Sequence, residues 1–583
     1  MSVQGGATSQ VIIRERVVPT LAKPLHDNSL IHRVLAARGV NDPRELSFSL
    51  GDLPRPDTLP DIDVAVERLL VARDNQERVL VVGDYDCDGA TSTAVALLGL
   101  AMLGFKHLDY IIPDRFAFGY GLSPAIVDVA NREYQPQLLV TVDNGVASVE
   151  GVARAREHGI DVVVTDHHLA PESLPEAIAI VNPNLPDSNF EGRNLAGVGV
   201  IFYTILALRA RLRALGDPYA DANPAQLLDL VAIGTVADVV PLDALNRTLV
   251  EQGLRRIRNG RTRPGILALL KAAKRPSETV STQDIGFGIG PRLNAAGRLD
   301  DMQVGVRCLL SETHDTAEEI ADQLNALNAS RQSIEKSMRD DAARQLERLG
   351  QDSILLKNSY AICLLDESWH QGVIGILAGR IKEARYKPVI VFTEDDADNL
   401  KGSARSIPGV HIRDVLQNIA ARNPGMIAKF GGHAMAAGLT LSKSGFEKFR
   451  EAFEEEVRQV LNGHHSQQVY LTDGALAESE RTLENARLLV HFMPWGQGFE
   501  APLFNDVFRV VTQRPVGNDQ SHLKMLLESP DSGQRVDAIA FNQSSVMAPE
   551  NLFRVVYSLD ANEFRGNSSL QLRVQYLEPC ALR

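Results

Sequence analysis

The stretch Gly83–Ser92, GDYDCDGATS, decides the fold class of this chain. It directly follows a continuous apolar run and places three carboxylates, Asp84, Asp86 and Asp88, at alternating positions. Three like charges within a few ångströms repel one another unless a cation neutralises them. The pattern therefore predicts a metal site at the end of a buried strand, with Gly89 turning the backbone into a buried helix.

Short runs rich in Val, Ile and Leu alternate with helix-like segments from about residue 75 to about residue 240. Such runs are typical of strands buried on both faces, and hence of a parallel sheet covered by helices. Each run ends in Asp, Asn or Gly, at the sheet edge where open α/β folds place their sites. The runs are RVLVVGDYD, LDYIIPD, QLLVTVDNG, IDVVVTDHH and IAIVNPN.

More acidic and histidine residues fall at equivalent positions. Asp143 lies in TVDNG, Asp166, His167 and His168 lie in VTDHH, and Asp238 lies in TVADVVPL. Taken singly, an Asp after a strand is usually a helix cap, and a lone His is usually a hydrogen-bonded surface or core residue. Taken together, mixed carboxylate and imidazole groups favour Mn²⁺, with Mg²⁺ also accepted, over Zn²⁺.

The composition predicts an α/β protein with five segments. Residues 1–60 are expected to be an N-terminal extension packed on a catalytic domain of residues 61–310. The polar, proline-free residues 311–352 predict a long connecting helix. Residues 353–464 predict a second, smaller α/β domain, and the short strand-like runs of residues 465–583 predict a small β-barrel.

The net charge and the cysteine content indicate what the protein can bind and in which compartment it is expected. Its formal net charge of −14 is unusual for a protein that binds nucleic acid. The stretch Arg255–Arg263, RRIRNGRTR, with Lys271, Lys274 and Arg275 offers a local basic patch, or alternatively only a solvated helix end and loop. Four well-separated cysteines and the lack of a signal-like start predict a soluble cytoplasmic protein.

The motifs DYDCDG, VDNG, TDHH and VADVVPL, in that order, resemble the four motifs of the DHH phosphoesterase superfamily. Five further stretches resemble the RecJ branch of that superfamily, the last three of them in its DHHA1 domain. The resemblance covers the chain from about residue 60 onwards. These stretches are IPDRFAFGYGLS, GPRLNAAGRLD, HQGVIGILAGR, GSARS and FGGHAMAAG.

Two positions depart from the patterns of the relatives. Related pyrophosphatases carry a His four residues before the first ligand of motif one, and the residue four before Asp86 is Val82. Asp84 is then a candidate to substitute as a ligand. Trp495 and Phe499 stand where the RecJ pattern more often has a Phe and an Asn.

The resemblance implies two Mn²⁺ or Mg²⁺ ions that activate a water molecule and stabilise the leaving oxygen. Asp143 is expected to bridge the ions, with Asp86 on one ion. His168 is expected to contact the scissile phosphate or orient the nucleophile; the alternative is that it supports His167. The implied metal ligands are Asp84, Asp86, Asp88, Asp143, His167 and Asp238.

An enzyme that degrades a nucleic-acid strand from one end only needs a group that holds the strand's terminal phosphate at a fixed distance from the metals. Ser403, Arg405 and His433 are the candidates, because Arg binds phosphate through two parallel hydrogen bonds. Arg115 is expected to reach the same phosphate, and an interdomain salt bridge is the alternative role for Arg405. Arg292 and Arg298 are expected to line the strand's channel, or else to brace the connecting helix.

The resemblance implies a 5′→3′ exonuclease that releases mononucleotides from single-stranded DNA during recombination and repair. An OB-like barrel would bind the incoming strand. The alternatives are a phosphodiesterase of short oligonucleotides or cyclic dinucleotides, and a non-catalytic DNA-binding scaffold. The implied partners are single-stranded DNA, a single-stranded-DNA-binding protein and a RecQ-type helicase, with the chain itself a monomer.

Overall fold

Strand β2 (Val79–Val82) lies inside a five-stranded parallel sheet in the computed structural model. Val79 and Val81 pack into one hydrophobic core, whereas Leu80 and Val82 pack into another on the opposite face. This burial on both faces explains the continuous apolar runs of the sequence. The strand order is β3 (Leu108–Ile111), β2, β4 (Leu138–Val142), β5 (Asp161–Thr165), β6 (Ala179–Val181).

The structure describes residues 11–21, 23–115, 117–351, 359–395, 398–517, 520–543, 552–564 and 567–580. They belong to two compact units. The larger unit comprises Glu15–Leu327 and Thr472–Arg583 and contains the parallel sheet. The smaller unit comprises Asn328–Leu471 and the residues before Glu15.

Helices cover the parallel sheet and extend the larger unit. Between the helices Pro264–Ala272 and Gly290–Leu299 the chain makes a short helical turn, Thr282–Asp284, and then a π-helical turn, Ile285–Ile289. The helices are α1 (Ser29–Ala36), α2 (Ile62–Asp74), α3 (Cys87–Met102), α4 (Pro124–Glu133), α5 (Val149–Glu157), α6 (Gly197–Ala214), α7 (Leu228–Ala237), α8 (Ala244–Arg258), α9 (Pro264–Ala272), α10 (Gly290–Leu299) and α11 (Gln303–Leu310).

The predicted connecting helix is present as α12 (His314–Gln351), a single helix of 38 residues. The smaller unit then forms a mixed five-stranded sheet, in which β7 and β8 are parallel and the other neighbours are antiparallel. Its order is β10 (Ile427–Gly432), β11 (Ala436–Ser442), β9 (Asn399–Arg405), β8 (Val389–Glu394), β7 (Ile362–Leu365). Its helices are α13 (Ile374–Arg385), α14 (Ile412–Arg422) and α15 (Phe446–Val460).

The predicted C-terminal barrel is confirmed as a closed five-stranded barrel that follows helix α16 (Leu483–Phe492). Four of its strands correspond to the short strand-like runs VFRVVTQ, HLKMLLES, RVDAIAF and LFRVVYSLD, whereas the last and longest strand, β17 (Asn567–Cys580), was not predicted. The barrel order is β13 (Phe504–Val516), β14 (His522–Glu528), β15 (Arg535–Ala540), β17, β16 (Leu552–Phe564).

The N-terminal segment contacts both the catalytic domain and the segment that leads into the barrel. Strand β1 (Ile12–Glu15) pairs with β12 (Val469–Thr472). Arg38 and Asp473 form a buried ion pair of 2.7 Å, and Glu45 pairs with Arg247 of α8 at 3.1 Å. The two ion pairs lie within the larger unit and join the N-terminal segment to the catalytic domain and to the segment that leads into the barrel.

Among the described helices, none combines the length and the apolar character that crossing a membrane requires.

Candidate metal centre

The three carboxylates of the first motif are held by different backbone groups at the end of β2. Asp86 caps α3, with its side chain accepting a hydrogen bond from the Gly89 amide at 3.0 Å. Asp88, in the first turn of the same helix, is buried and accepts hydrogen bonds from the amides of Gly197 and Val198 at 2.7 and 3.1 Å. Asp84 is also buried. Its Oδ1 accepts a hydrogen bond of 2.8 Å from the Tyr85 amide, so the strand-to-helix turn holds Asp84 and Asp86, whereas Asp88 is held by amides of residues 197 and 198.

Asp143 lies directly after β4 in a left-handed backbone conformation, with a φ of 63°. A residue other than glycine rarely adopts this conformation, and such outliers cluster at functional sites. The Tyr120 hydroxyl donates a hydrogen bond of 3.2 Å to the Asp143 carbonyl oxygen. Within the described part of the chain, no donor hydrogen-bonds to the buried Asp143 Oδ1. That oxygen is oriented for a ligand other than a protein hydrogen-bond donor.

The His167 ring links two carboxylates from different elements. Its Nε2 lies 3.2 Å from Asp143 Oδ1 and 3.5 Å from Asp238 Oδ2. Asp238 follows α7, and the next residue, Val239, again has a left-handed backbone with a φ of 61°. The loop after α7 therefore turns sharply to bring Asp238 to the edge of the parallel sheet.

The candidate ligand atoms form three groups, in each of which they lie within 4.8 Å of one another. Asp143 belongs to two of the groups, and so does His167. Groups that share members are what two neighbouring ions with common ligands require. The groups are Asp84 with Asp86 and Asp143, Asp88 with His167 and Asp238, and Asp143 with His167 and His168.

Burial and mutual repulsion make these carboxyl groups hard to ionise. Desolvation, followed by the charges of neighbouring aspartates, raises the pKa of Asp84, Asp143 and Asp238 well above the ordinary value. The same two causes raise the pKa of Asp88 to about 7. A divalent cation removes this cost, because it attracts the ionised form of each carboxylate. The set of oxygen and imidazole donors therefore fits Mn²⁺ or Mg²⁺.

His168 is held by Asp166 at the rim of the ligand cluster. Its Nδ1 lies 2.7 Å from Asp166 Oδ1, and Asp166 also accepts hydrogen bonds from backbone amides, including that of Val146 at 2.9 Å. Burial opposes the charge on His168, but the hydrogen bond to Asp166 and the surrounding carboxylates raise its pKa to about 9. Asp166 therefore orients the His168 ring and favours its charged form.

Tyr120 is the residue in this centre that the sequence analysis did not single out. Its hydroxyl lies 3.2 Å from His168 Nδ1 and 3.3 Å from His168 Nε2, in addition to its contact with the Asp143 carbonyl. Its position in the quoted stretch IPDRFAFGYGLS was the available signal. The pattern of polar residues at strand ends does not predict which backbone atom the hydroxyl of a tyrosine in a glycine-rich loop contacts.

The predicted arginines of the larger unit lie in two different surroundings. The Arg115 guanidinium stacks on the Tyr85 ring, 4.6 Å from its centroid, beside the first motif. Arg298 is in the last turn of α10, the helix whose Asn294 accepts a hydrogen bond from the Cys87 amide. Arg292 instead donates to Asn325 of α12 and to two backbone carbonyls. This arrangement favours the bracing role for Arg292.

The smaller unit brings Ser403 and Arg405 together with a helix N-terminus. Arg405 Nη1 lies 3.3 Å from Ser403 Oγ on β9. A Cβ on Gly375, in the first turn of α13, would lie 2.9 Å from both Ser403 Oγ and Arg405 Nη2. His433 lies in the turn between β10 and β11, where Ala436 pairs with Arg405. Sequence reasoning named the three side chains but missed the α13 N-terminus.

Three family models match the chain in succession. They are the N-terminal domain of the DHH family over residues 78–235, the DHHA1 domain over residues 357–459 and the RecJ OB domain over residues 472–576. The matches coincide with the parallel sheet, the mixed sheet and the closed barrel.

Curated relatives match over nearly the whole chain. The single-stranded-DNA-specific exonuclease RecJ of Haemophilus influenzae is 47% identical over 573 residues, which cover 97% of this chain and 99% of that protein. RecJ of Escherichia coli is 48% identical over 578 residues, with 98% and 99% covered.

Solved structures agree with these sequence relatives. The crystal structure of RecJ from Thermus thermophilus in complex with Mn²⁺ matches with a TM-score of 0.80 at 29% identity, covering 98% of this chain and 80% of that one. The complex of the same protein with Mg²⁺ matches with a TM-score of 0.74. The chain therefore belongs to the RecJ family of single-stranded-DNA-specific exonucleases, within the DHH phosphoesterases.

Proposed function

We propose that this chain degrades single-stranded DNA from its 5′ end, releasing mononucleotides by hydrolysis with two divalent ions, Mn²⁺ or Mg²⁺. The observation that carries the proposal is the cluster of buried and half-buried aspartate and histidine side chains, in which Asp143 belongs to two of the three candidate ligand sets. Membership in the RecJ family supports the substrate, and the Mn²⁺ and Mg²⁺ complexes of the Thermus relative support the metals.

Two groups of side chains would hold the ions. Asp86 with Asp84 would hold one ion, and Asp88, His167 and Asp238 would hold the other, with Asp143 between them. When bound, the ions supply an activated water molecule and stabilise charge on the leaving oxygen. The hydrogen bonds to Asp88 and the left-handed backbone of Asp143 preorganise these oxygens before any ion binds.

His168 is the proposed contact to the scissile phosphate. Its hydrogen bond to Asp166 engages Nδ1 and favours the protonated ring, and the Tyr120 hydroxyl lies about equally far from both ring nitrogens. A protonated Nε2 donates a charge-assisted hydrogen bond to a phosphate oxygen, and such bonds are stronger than neutral ones. The Tyr120 hydroxyl would orient that ring and shield it from solvent.

Polarity is assigned to the smaller unit. Arg405 and Ser403 lie against the first turn of α13, so a guanidinium, a hydroxyl and a helix N-terminus surround one small region. This combination suits a dianionic terminal phosphate, because the helix dipole and its unpaired amides favour negative charge. His433 of the same unit is proposed to contribute to this phosphate contact, and Arg115 and Arg298 of the larger unit are proposed to contact the strand.

The proposal extends to the biological setting of the enzyme. We place the enzyme in the cytoplasm as a monomer that acts in recombination and repair. Its substrate strands would be produced by a RecQ-type helicase and covered by a single-stranded-DNA-binding protein. Both partners are part of the proposal and rest on family membership alone.

Digestion of end-labelled strands tests the function directly. Long single strands labelled at either the 5′ or the 3′ end are incubated with the wild-type chain and Mn²⁺, with an EDTA control. We expect the 5′ label to appear first as a mononucleotide and EDTA to stop the reaction. Early release of the 3′ label would reverse the assigned polarity. Activity confined to short oligonucleotides would favour the alternative phosphodiesterase.

A further inference from the structure

A cavity of about 750 Å³ lies in the larger unit between the catalytic domain and the barrel. On one side it is lined by the region around the π-helical turn Ile285–Ile289, and on the other by the strands β16 and β17 and by Phe541. A cavity of this size is in the range of small-molecule and cofactor sites. It is separate from the ligand cluster, whose residues do not appear in its described lining.

Two exposed aromatic rings face this cavity from opposite sides. Phe287 is 79% exposed and lies on the π-helical turn between two glycines, and Phe541, directly after β15, is 41% exposed. The turn is noteworthy because π-helical segments occur frequently at functional sites. Four other barrel aromatics, by contrast, are buried core residues: Phe504, Phe508, Phe553 and Tyr557.

Arginines accompany the two rings. The Arg573 guanidinium lies over Phe541, 5.2 Å from the ring centroid, and Arg275 lines the same cavity with a half-exposed side chain. Arg275 also pairs with Asp284 at 3.3 Å, and Asp560 is a further acidic residue of the lining. A stacked guanidinium presents both a flat face to a base and a positive charge to a phosphate.

We infer that this cavity is a nucleobase-stacking site for single-stranded nucleic acid, with Phe287 and Phe541 as the platforms and Arg573 beside them. Aromatic rings next to cations are the usual means by which proteins bind single strands without reading their sequence. The inference deepens the proposed function and rests on it, since it assigns part of the strand's path to a junction of two domains. An apolar protein anchor is the competing occupant, and the test below distinguishes it.

Binding measurements without hydrolysis test the site. The affinity of a fluorescent single strand is measured by anisotropy in EDTA for the wild type, Phe287→Ala, Phe541→Ala and the double variant. Each single change should weaken binding by at least about fivefold, because stacking on one aromatic ring is worth at least about that factor per base. Phe541→Trp should restore binding. Tyr219→Ala is the matched control, since its ring is 46% exposed but lies outside the described lining of the cavity.

Photocrosslinking of the wild type provides a second readout that needs no variant. A strand carrying 5-iododeoxyuridine should give adducts on the peptides that contain Phe287 or Phe541. Unchanged affinities in all alanine variants, or adducts found only elsewhere, would overturn the stacking site. The digestion experiment decides the proposed function separately, so active wild-type enzyme with unaffected variants would reject this inference alone.

Discussion

The carboxylate of Asp88 accepts a hydrogen bond of 2.7 Å from the backbone amide of Gly197, the first residue of α6. The residue before it is Ala196, whose methyl side chain cannot accept a hydrogen bond, so Asp88 caps α6 from another element. The same glycine lies against Asp143, and a Cβ at this position would be 2.5 Å from Asp143 Oδ1. The N-terminus of α6 therefore positions two candidate metal ligands.

Replacing Gly197 by Ala should weaken metal binding. The added methyl group must displace Asp143, and through the α6 N-terminus it also disturbs the hydrogen bonds to Asp88. Changes to groups that orient ligands typically reduce metal affinity by about 10- to 100-fold, and we expect a loss in that range. Titration of Mn²⁺ followed by electron paramagnetic resonance measures it.

Gly199→Ala is the matched control on the same helix. Its Cβ would meet the far end of the Leu195 side chain, which can move aside. We expect near wild-type Mn²⁺ affinity for this variant. Equal affinities of the Gly197 and Gly199 variants would show that the close approach to Asp143 does not position the ligand.

Replacing Asp143 by Asn should remove most of the activity without unfolding the chain. Asn tolerates the left-handed backbone that Asp143 adopts, so the change removes the charge with little strain. We expect kcat on single-stranded DNA in Mn²⁺ to fall at least about a hundredfold, more than for a residue that only supports a ligand. Strand affinity in EDTA should stay at the wild-type value. Near wild-type turnover would reject the bridging assignment.

The sequence predicted the parts of this centre that depend on strand ends. In a parallel sheet, the residues after β2, β4 and β5 meet at one edge, so Asp86, Asp143 and His167 could be grouped from their positions alone. Tyr120 could not be placed, because its contact with the Asp143 carbonyl depends on the path of a glycine-rich loop. The capping of α6 by Asp88 joins residues about a hundred positions apart and has no local signal.

The fold, too, could be predicted only for the elements that have a local sequence signal. The doubly buried strands and the long helix α12 have strong periodic signals, whereas β17 was missed as a strand. Its pairing with β15 is parallel and with β16 antiparallel, and closure of the barrel depends on these distant partners rather than on local sequence. The N-terminal segment gave no signal for its contacts with the barrel lead-in, because the ion pair of Arg38 with Asp473 is set by tertiary packing.

Removing the metal should destabilise the protein more at neutral than at acidic pH. Burial and neighbouring charges raise the pKa of Asp88 to about 7, and those of Asp84, Asp143 and Asp238 are raised as well. A carboxyl group whose pKa is raised in the folded state does not lower the stability of the fold at a pH below its unfolded-state pKa. As the pH rises from the unfolded-state pKa towards the folded-state pKa, the metal-free fold loses stability. A bound cation offsets this loss.

Thermal unfolding in EDTA and in excess Mn²⁺ measures this effect. At about one hundred times the dissociation constant, an ion contributes about 2.7 kcal/mol, which should raise the melting temperature by several degrees near neutral pH. The rise should shrink at about pH 5, because protons then compete for the same carboxylates. A rise that does not vary with pH would argue against buried carboxylates as the ligands.

Replacing Arg405 by Ala should affect 5′-phosphorylated strands more than strands that end in a 5′-hydroxyl. A guanidinium contributes charge-assisted hydrogen bonds to a phosphate, worth about 1.5–3 kcal/mol, so kcat/KM on the phosphorylated strand should fall roughly ten- to a hundredfold. A strand that ends in a 5′-hydroxyl lacks the terminal phosphate that Arg405 would bind. The smaller loss of kcat/KM on this strand measures the other effects of the substitution. The ratio of the two losses isolates the coupling between side chain and phosphate.

Arg413→Ala is the control for this comparison, because it removes an exposed arginine from α14 in the same unit. It should leave kcat/KM on both strands close to the wild-type values. If Arg405→Ala reduced kcat/KM equally for the two kinds of 5′ end, the guanidinium would act on the strand in general or on the fold of the smaller unit. Its contacts with Ser403 and the α13 N-terminus would then be structural, and the origin of the 5′ polarity would have to be sought elsewhere.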